Sequence, residues 1–323
     1  MRLNNPITGR GFRWPVLALA LLLASCAPVL NAPGPATTPP AIDGDALVMK
    51  DGAHLPLHVW PADGAPRAVI LALHGFNDYG NFITEAAEFW RKAGVQVYAY
   101  DQRGFGAAPG TGLWPGTRAF GDDLAAAAKL VRARHAGVPF YVLGMSMGGA
   151  VAMTAFAGPE PPAADGVILV APAVWGRSTM PFYQRWSLWL AAHTVPWLTL
   201  SGRGLDIKPS DNIEMLRALG RDPLVIKDTR VDTIWGLVNL MDAALASAGR
   251  FGAHALILYG DKDEIIRKDP TEKMLAGLPA AAKGRQRLRR YDTGYHMLLR
   301  DLEGKRVWND ILAWVKQEPL ARQ

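Results

Sequence analysis

The chain has 323 residues, of which 50% are hydrophobic and 20% are charged, so an intrinsically disordered protein is excluded and a large packed core is expected. Its one cysteine, Cys26, excludes an intrachain disulfide and a zinc site made of several cysteines. The net charge is +6, but three arginines and no acidic residue precede Cys26. Because the rest of the chain is close to charge balance, we expect no nucleic-acid partner.

The N-terminus predicts a segment that directs the chain to a membrane. Basic residues end at Arg13, and the apolar stretch Trp14 to Leu23 is shorter than the roughly 20 residues of a spanning helix. The following Leu23-Ala24-Ser25-Cys26 resembles a bacterial lipoprotein signal, in which small residues precede the cysteine that is lipidated. We predict a signal peptide at 1–25, lipidation of Cys26 and an anchor in the cell envelope. The alternative is an ordinary secretory signal with an incidental cysteine.

The residues after the cysteine predict where the anchor lies and how it is joined to the fold. Ala27 follows Cys26, and by resemblance to the Gram-negative sorting rule this residue favours the outer membrane. Residues 26–42 are rich in proline, which is typical of a semi-extended tether.

Strand and helix signals alternate along the rest of the chain. The early segments Ala46–Lys50 and Leu55–Trp60 predict a hairpin. Further strands are expected at Arg67–Leu73, Val95–Tyr100, Phe140–Leu143, Val167–Ala171, His254–Tyr259 and Gln286–Tyr291. Helices are expected at Ile83–Ala93, Thr117–His135, Ala150–Ala157, Asp269–Leu278 and Lys305–Lys316. This alternation predicts an α/β fold with a mostly parallel sheet and helices on both faces.

One gap between predicted strands is too long for a simple crossover. Eighty-two residues separate Ala171 from His254, whereas a crossover needs about a dozen. We therefore predict a core of residues 43–172 and 254–323, interrupted by a helical cap at 173–253. The i,i+4 pairs Trp186–Leu190 and Trp189–His193 give one cap helix a wide apolar face. We expect this face to pack on the core; the alternative is that part of it lines a substrate pocket or contacts lipid.

The strongest chemical signal is Gly144-Met145-Ser146-Met147-Gly148. It follows a predicted strand and precedes a predicted helix. A G-x-S-x-G sequence in this context predicts a sharp turn that exposes a nucleophilic serine above the sheet. Ser146 is therefore the candidate nucleophile.

A serine needs a base to remove its proton and an acid to orient that base. His296 follows the last predicted strand and is the candidate base, because the other six histidines do not fit the order Ser, Asp/Glu, His. Asp263 follows the strand that ends near Tyr259 and is the favoured acid, with neighbouring Asp261 as the alternative.

Acyl transfer also needs two N–H donors for the oxyanion. Met147 is expected to supply one, at the start of the helix after the nucleophile. Phe76 is expected to supply the other, from the loop His74-Gly75-Phe76 after an early strand. His74 is expected to be structural and not a second base.

Five sequence motifs together carry a family resemblance. They are Leu73-His74-Gly75-Phe76, Asp101-Gln102-Arg103-Gly104-Phe105-Gly106, Gly144-Met145-Ser146-Met147-Gly148-Gly149, Gly260-Asp261-Lys262-Asp263 and Tyr295-His296. They resemble the monoacylglycerol lipase and lysophospholipase branch of the α/β-hydrolases, over about Asp43 to Lys316. The resemblance implies an eight-stranded sheet, a helical lid and hydrolysis of single-chain carboxylic esters without a metal or cofactor.

Three functions remain open at this point. The first is a serine esterase that acts on lipid esters with one acyl chain. The second is a serine hydrolase of another acyl substrate, such as a peptide, a thioester or a small ester. The third is a non-catalytic envelope binding protein on the same fold. The basic cluster Lys283 to Arg290 is expected to be a solvated strand edge, with contact to anionic lipid headgroups as the alternative.

Overall fold

A computed structural model describes residues 27–202, 204 and 206–317. The predicted signal segment 1–25 and the candidate lipidation site Cys26 lie outside these residues, so the lipoprotein signal stays a prediction. Among the described residues, no helix is long and apolar enough to cross a membrane.

Eleven strands lie in the described part of the chain. They are β1 (Ala41–Asp43), β2 (Ala46–Val48), β3 (His54–Trp60), β4 (Ala68–Leu73), β5 (Val95–Tyr100), β6 (Phe140–Met145), β7 (Gly166–Val170), β8 (Thr199–Ser201), β9 (Asp228–Arg230), β10 (Ala255–Gly260) and β11 (Gln286–Tyr291). Nine of them form one sheet in the order β1-β2-β3-β5-β4-β6-β7-β10-β11. The strands from β5 to β11 in this order pair in parallel, whereas β1, β2 and β3 are antiparallel to their neighbours.

The helices cover both faces of this sheet. They are α1 (Thr84–Arg91), α2 (Thr117–Arg134), α3 (Met147–Phe156), α4 (Phe182–Thr194), α5 (Ile213–Arg221), α6 (Val231–Ser247), α7 (Lys268–Ala276) and α8 (Gly304–Val315). One hydrophobic core joins the sheet to α2, α3 and α6, and a second joins it to α1 and α8. Every residue of β4, β6 and β10 is buried, as parallel strands between two helical layers require. The expected α/β-hydrolase architecture, a mostly parallel sheet with flanking helices, is confirmed.

The described residues form one more sheet strand than the eight that the resemblance implies. The extra strand is β1, at the end of the predicted tether, which pairs with β2 across the two-residue turn Gly44-Asp45. Gly44 has φ 56°, a backbone conformation that suits glycine in a tight hairpin turn. At the other edge of the sheet is β11, where Arg287 and Arg289 are exposed. The expected solvated strand edge is therefore confirmed.

Residues 173–253, predicted as the cap, contain α4, α5, α6 and the β8–β9 pair. Helix α6 packs on α3 and on Trp114, whose ring lies against Gly236. Helix α4 is different, because Ala192 is its one buried residue. Trp186 is 66% exposed and Trp189 is 46% exposed, so the expectation that this face packs on the core is wrong. The spacing of apolar residues shows which of them share a face but not what covers that face.

Candidate active site

Ser146 lies at the turn between β6 and α3. Its backbone has φ 51° and ψ −114°, a conformation that is costly for a residue with a side chain and that persists only where its surroundings impose it. The surroundings here are glycines. A Cβ atom on Gly144 would lie 2.3 Å from the carbonyl oxygen of Gly148, and one on Gly148 would lie 2.3 Å from the carbonyl oxygen of Leu73. The glycines of the motif therefore allow the close backbone contacts that hold the serine in this turn.

The structure brings Ser146, His296 and Asp263 together. The Ser146 Oγ lies 2.9 Å from the His296 Nε2, and the His296 Nδ1 lies 2.8 Å from the Asp263 Oδ2. An ionised carboxylate only accepts hydrogen bonds, so Nδ1 carries the proton and Nε2 is free to accept the serine hydroxyl hydrogen. This is the arrangement of a nucleophile, a base and an orienting acid.

The loops that carry the acid and the base follow neighbouring strands. Asp263 follows β10 and His296 follows β11, and these two strands pair in parallel. The second oxygen of Asp263 accepts the N–H groups of Ile265 and Ile266, each at 2.8 Å, which fixes the carboxylate. The alternative acid, Asp261, lies instead 3.4 Å from Arg290 and has a side chain that is 40% exposed.

The two candidate oxyanion donors flank the serine. Met147 is the first residue of α3, and the first N–H groups of a helix have no acceptor within the helix. Gly75 lies against the serine, since a Cβ atom on it would be 3.4 Å from the Ser146 Cβ. Phe76 follows Gly75 and lines the same cavity as Ser146. Both backbone donors therefore belong to segments that meet at the nucleophile.

His74 holds the loop that carries Phe76. Its side chain is fully buried. The Nδ1 atom donates to the Gly75 carbonyl at 2.7 Å, and the Nε2 atom accepts the Gln102 N–H at 2.9 Å. Burial lowers the pKa of His74, so the ring stays neutral and keeps one donor and one acceptor. With both nitrogens engaged, His74 has the structural role expected of it.

One contact between the cap segment and the loop that carries His296 could not be predicted from the sequence. The Ser210 hydroxyl donates to the Asp301 Oδ1 at 2.6 Å, across 91 residues of chain. The second oxygen of Asp301 accepts the Tyr295 N–H at 2.8 Å, and the Met297 N–H donates to the Pro209 carbonyl at 3.0 Å. Both neighbours of His296 are thus held by this group of bonds, which positions the imidazole.

A cavity of about 500 Å³ opens over Ser146 and His296. Its size lies within the usual range of small-molecule sites, roughly 300–1,000 Å³. Most of its wall is apolar, and much of that wall comes from the cap segment: Trp175, Met180, Leu188, Leu237 and Met241. Part of the predicted cap therefore lines a pocket, but the predicted apolar face of Trp186, Trp189, Leu190 and His193 does not.

One charged pair lines the cavity. Asp78 and Arg300 form a buried ion pair at its wall, and the Arg300 Nε is buried without a hydrogen-bond partner among the described residues. The sequence motifs predicted neither residue. The motif of the oxyanion loop, which precedes Asp78, does not require an acid. The cavity wall is thus mostly apolar and includes one ion pair.

Comparisons with known proteins give the relatives of this chain. The family described as Hydrolase_4, serine aminopeptidase S33, matches residues 64–303. The chain is 27% identical over 297 residues to the monoglyceride lipase of Rattus norvegicus, an alignment that covers 88% of this chain and 95% of that protein. It is 25% identical over 276 residues to the monoacylglycerol lipase of Mycolicibacterium smegmatis, covering 82% of this chain and 93% of that one.

Solved structures show the same fold. A soluble variant of monoglyceride lipase from Saccharomyces cerevisiae, in complex with a substrate analog, superposes with a TM-score of 0.71. It is 22% identical to this chain, and the superposition covers 88% of this chain and 97% of that one.

Proposed function

Because the chain belongs to the Hydrolase_4 family and is a lipase-type serine hydrolase, which cleaves carboxylic esters, we propose that it hydrolyses the esters of single-chain lipids. These lipids are monoacylglycerols or lysophospholipids. The observation that carries the proposal is the cavity of about 500 Å³. Its apolar wall suits one acyl chain, and its charged pair suits the polar end of such a lipid.

The proposed mechanism uses only residues of this chain. The His296 Nε2 removes the hydroxyl proton of Ser146, and the Oγ attacks the ester carbonyl carbon. The N–H groups of Met147 and Phe76 stabilise the negative charge that develops on the carbonyl oxygen. Asp263 stabilises the imidazolium, which gives its proton to the departing alcohol as the ester C–O bond breaks.

The acyl-enzyme is then hydrolysed by the same groups. Water gives a proton to His296 and attacks the acyl carbon, and the Ser146 oxygen leaves with that proton. The products are the free fatty acid and the regenerated serine. No step needs a metal or a cofactor.

A peptide substrate is the alternative that the family description raises. Recognition of a free α-amino group calls for an acceptor that is not already used by another cation. Asp78 is the one carboxylate among the described residues that line the cavity, and it is already paired with Arg300. This occupied carboxylate favours a lipid ester over a peptide.

We expect kcat/KM for p-nitrophenyl esters to rise about fourfold with each added methylene, the value of one buried CH₂, until the cavity is full. Leu237→Trp, which fills part of the cavity wall, should move the optimum to shorter chains. Leu302→Ala is the matched control, because Leu302 is 69% exposed and does not line the cavity.

The contrasting substrates are monoacylglycerol, lysophosphatidylcholine and aminoacyl p-nitroanilides. Faster hydrolysis of an anilide than of any lipid, or an optimum at the acetate ester, would overturn the lipid proposal. The protein would then be a serine hydrolase of another acyl substrate. No turnover of any acyl substrate would favour the binding-protein function.

The place of the enzyme in the cell is a separate proposal. The segment up to Cys26 supports a lipid anchor in the bacterial envelope, at the outer membrane. Several acyl chains on one cysteine would bind a membrane stably, at about 0.8 kcal/mol for each buried methylene. Cells fed a labelled fatty acid should incorporate the label into the parent chain and not into Cys26→Ser, and equal labelling of the two, or no labelling of the parent, would contradict a lipidated Cys26.

A further inference from the structure

The loop that carries Phe76 is bound directly to the cap segment. The residue that binds it is Asn77, which follows Phe76, the expected oxyanion donor. The Asn77 backbone has φ 64°, in the left-handed region where asparagine is enriched and most other residues with a side chain are rare. Sparsely populated backbone conformations cluster at functional sites, so Asn77 is a candidate for a role in the reaction.

Two hydrogen bonds of Asn77 cross to the cap segment. The Nδ2 atom donates to the Thr229 Oγ1 at 2.7 Å, across 152 residues of chain, and the Asn77 carbonyl accepts the Ile226 N–H at 3.0 Å. Thr229 is buried, and a hydrogen bond in a buried environment is stronger than one in water. The Asn77 Oδ1 has no hydrogen-bond partner among the described residues, so the side chain is held through its Nδ2 atom.

The part of the cap that holds Asn77 is itself anchored to the core. Thr229 lies in β9, which leads directly into α6. The Thr233 hydroxyl on α6 donates to the Gly112 carbonyl at 2.7 Å, and α6 packs on α3, the helix that begins at Met147. This part of the cap is therefore fixed relative to the helix that supplies the other expected oxyanion donor.

The peptide unit that contains the Phe76 N–H is fixed from its other end as well. It joins Gly75 to Phe76, and the Gly75 carbonyl accepts the His74 Nδ1–H at 2.7 Å. In a planar trans peptide the C=O and the N–H point in opposite directions, so this bond directs the Phe76 N–H away from the His74 ring. His74 thus holds the residue before the donor, and Asn77 is held directly after it.

We propose that Asn77 is a positioning residue for the oxyanion hole, and that it holds the Phe76 N–H in place by tying its loop to Thr229 of the cap. The cap then has two roles, because it lines the cavity and also sets the geometry of a donor whose bond to the substrate strengthens as charge develops on the carbonyl oxygen. This inference rests on the proposed acyl transfer with Phe76 as a donor, and it is independent of which acyl substrate is hydrolysed.

The first test changes the partner of Asn77 in the full chain and leaves the oxyanion loop itself unchanged. Thr229→Val replaces the hydroxyl by a methyl group, and Thr229→Ser keeps a hydroxyl. We expect Thr229→Val to lower kcat for a p-nitrophenyl ester by about 10- to 100-fold, because a displaced donor loses part of the value of a whole one. KM should change little, and Thr229→Ser should keep most of the parent activity.

The second test removes the amide side chain. Asn77→Gly can adopt the same positive φ without strain, and it should lower kcat to a similar extent. The double variant Asn77→Gly, Thr229→Val should lose no more than the larger single loss, because both changes remove the same hydrogen bond. Thr194→Val is the matched control and should keep the parent activity, since the hydroxyl of this cap threonine binds the Leu190 carbonyl within α4.

A transition-state analogue distinguishes a displaced donor from a general loss of structure. When a trifluoromethyl ketone binds, the Ser146 Oγ attacks its carbonyl carbon, His296 takes the hydroxyl proton and the carbonyl oxygen becomes negative. We expect the Kd of this ketone to rise in Thr229→Val by a factor similar to the fall in kcat. In a Ser146→Ala background, Thr229→Val should leave the Kd of the intact ester unchanged. Thermal melting checks each fold, and Asn77→Gly serves alone if Thr229→Val unfolds.

Three results would overturn the proposal. The first is that Thr229→Val and Asn77→Gly have the same kcat as Thr194→Val. The second is that their losses add in the double variant. The third is an unchanged affinity for the ketone in a variant whose kcat falls, because the effect would then lie outside the oxyanion hole. A parent chain that hydrolyses no ester and reacts with no fluorophosphonate would instead contradict the acyl transfer itself, and this inference with it.

Discussion

Replacing Ser146 with alanine should lower kcat/KM for a p-nitrophenyl ester by about 10⁴-fold or more, the loss typical when a serine nucleophile is removed. The reason is that the Ser146 Oγ lies 2.9 Å from the His296 Nε2 and carries the one hydroxyl among the described residues that line the cavity. The measurement is steady-state hydrolysis, together with fluorophosphonate labelling and mass spectrometry of the modified peptide.

The two aspartates after β10 provide a matched pair for the same experiment. Asp263→Asn should lower kcat by about 10⁴-fold, because an amide does not hold the imidazole in the required tautomer. Asp261→Asn should change kcat little, since this carboxylate lies at the surface beside Arg290. Binding of long-chain ester should survive in both variants. A Ser146→Ala protein that keeps its activity, or a larger loss from Asp261→Asn than from Asp263→Asn, would contradict the assigned roles.

Two strands could be predicted with the right bounds, of which β5 is almost fully buried and β11 lies at the exposed edge of the sheet. The bounds of β5 and β11 are the predicted ones. Strand β6 extends two residues beyond its predicted end, because Gly144 and Met145 precede a turn in sequence but still pair with β7. Helix α3 begins three residues earlier than predicted, since the glycines after Ser146 lower helix propensity and packing overrides that preference.

The candidate triad could be predicted because order along the chain is informative in this architecture. Parallel strands end at the same edge of the sheet, so residues that follow β6, β10 and β11 come close together. The bond between Ser210 and Asp301 could not be predicted in this way. Ser210 lies in the cap segment, where no repeating strand and helix pattern specifies which residues meet.

The exposure of α4 also could not be predicted. Its apolar spacing is typical of a helix that packs on a core, and the same spacing occurs on a helix whose partner is a membrane. Sequence alone does not distinguish these two cases, because the same residue types stabilise both. The structure shows only that this face does not pack on the core, since Trp186 is exposed while Leu188 on the same helix lines the catalytic cavity.

The second large effect that we expect is on folding. Gly148→Ala should lower the free energy of unfolding by about 4 kcal/mol or more, or prevent folding, as only severe backbone or core changes do. The added Cβ atom would lie 2.3 Å from the Leu73 carbonyl oxygen and 2.7 Å from the Leu73 carbonyl carbon. Relief would require α3 to move away from β4, which would also displace Ser146 and the oxyanion loop.

The same glycine-to-alanine substitution should stabilise the fold where the added Cβ atom meets no other atom. Gly121 lies in α2, and a Cβ atom on it would meet no heavy atom within 4 Å. Gly121→Ala should therefore raise the free energy of unfolding by about 0.5–1 kcal/mol, the usual gain of alanine over glycine in a helix. Urea unfolding of both variants, each compared with the parent chain, measures the two effects. Because both glycines are helical, the difference isolates the contact with Leu73, and a Gly148→Ala protein as stable as the parent would show that β4 and α3 do not approach each other this closely.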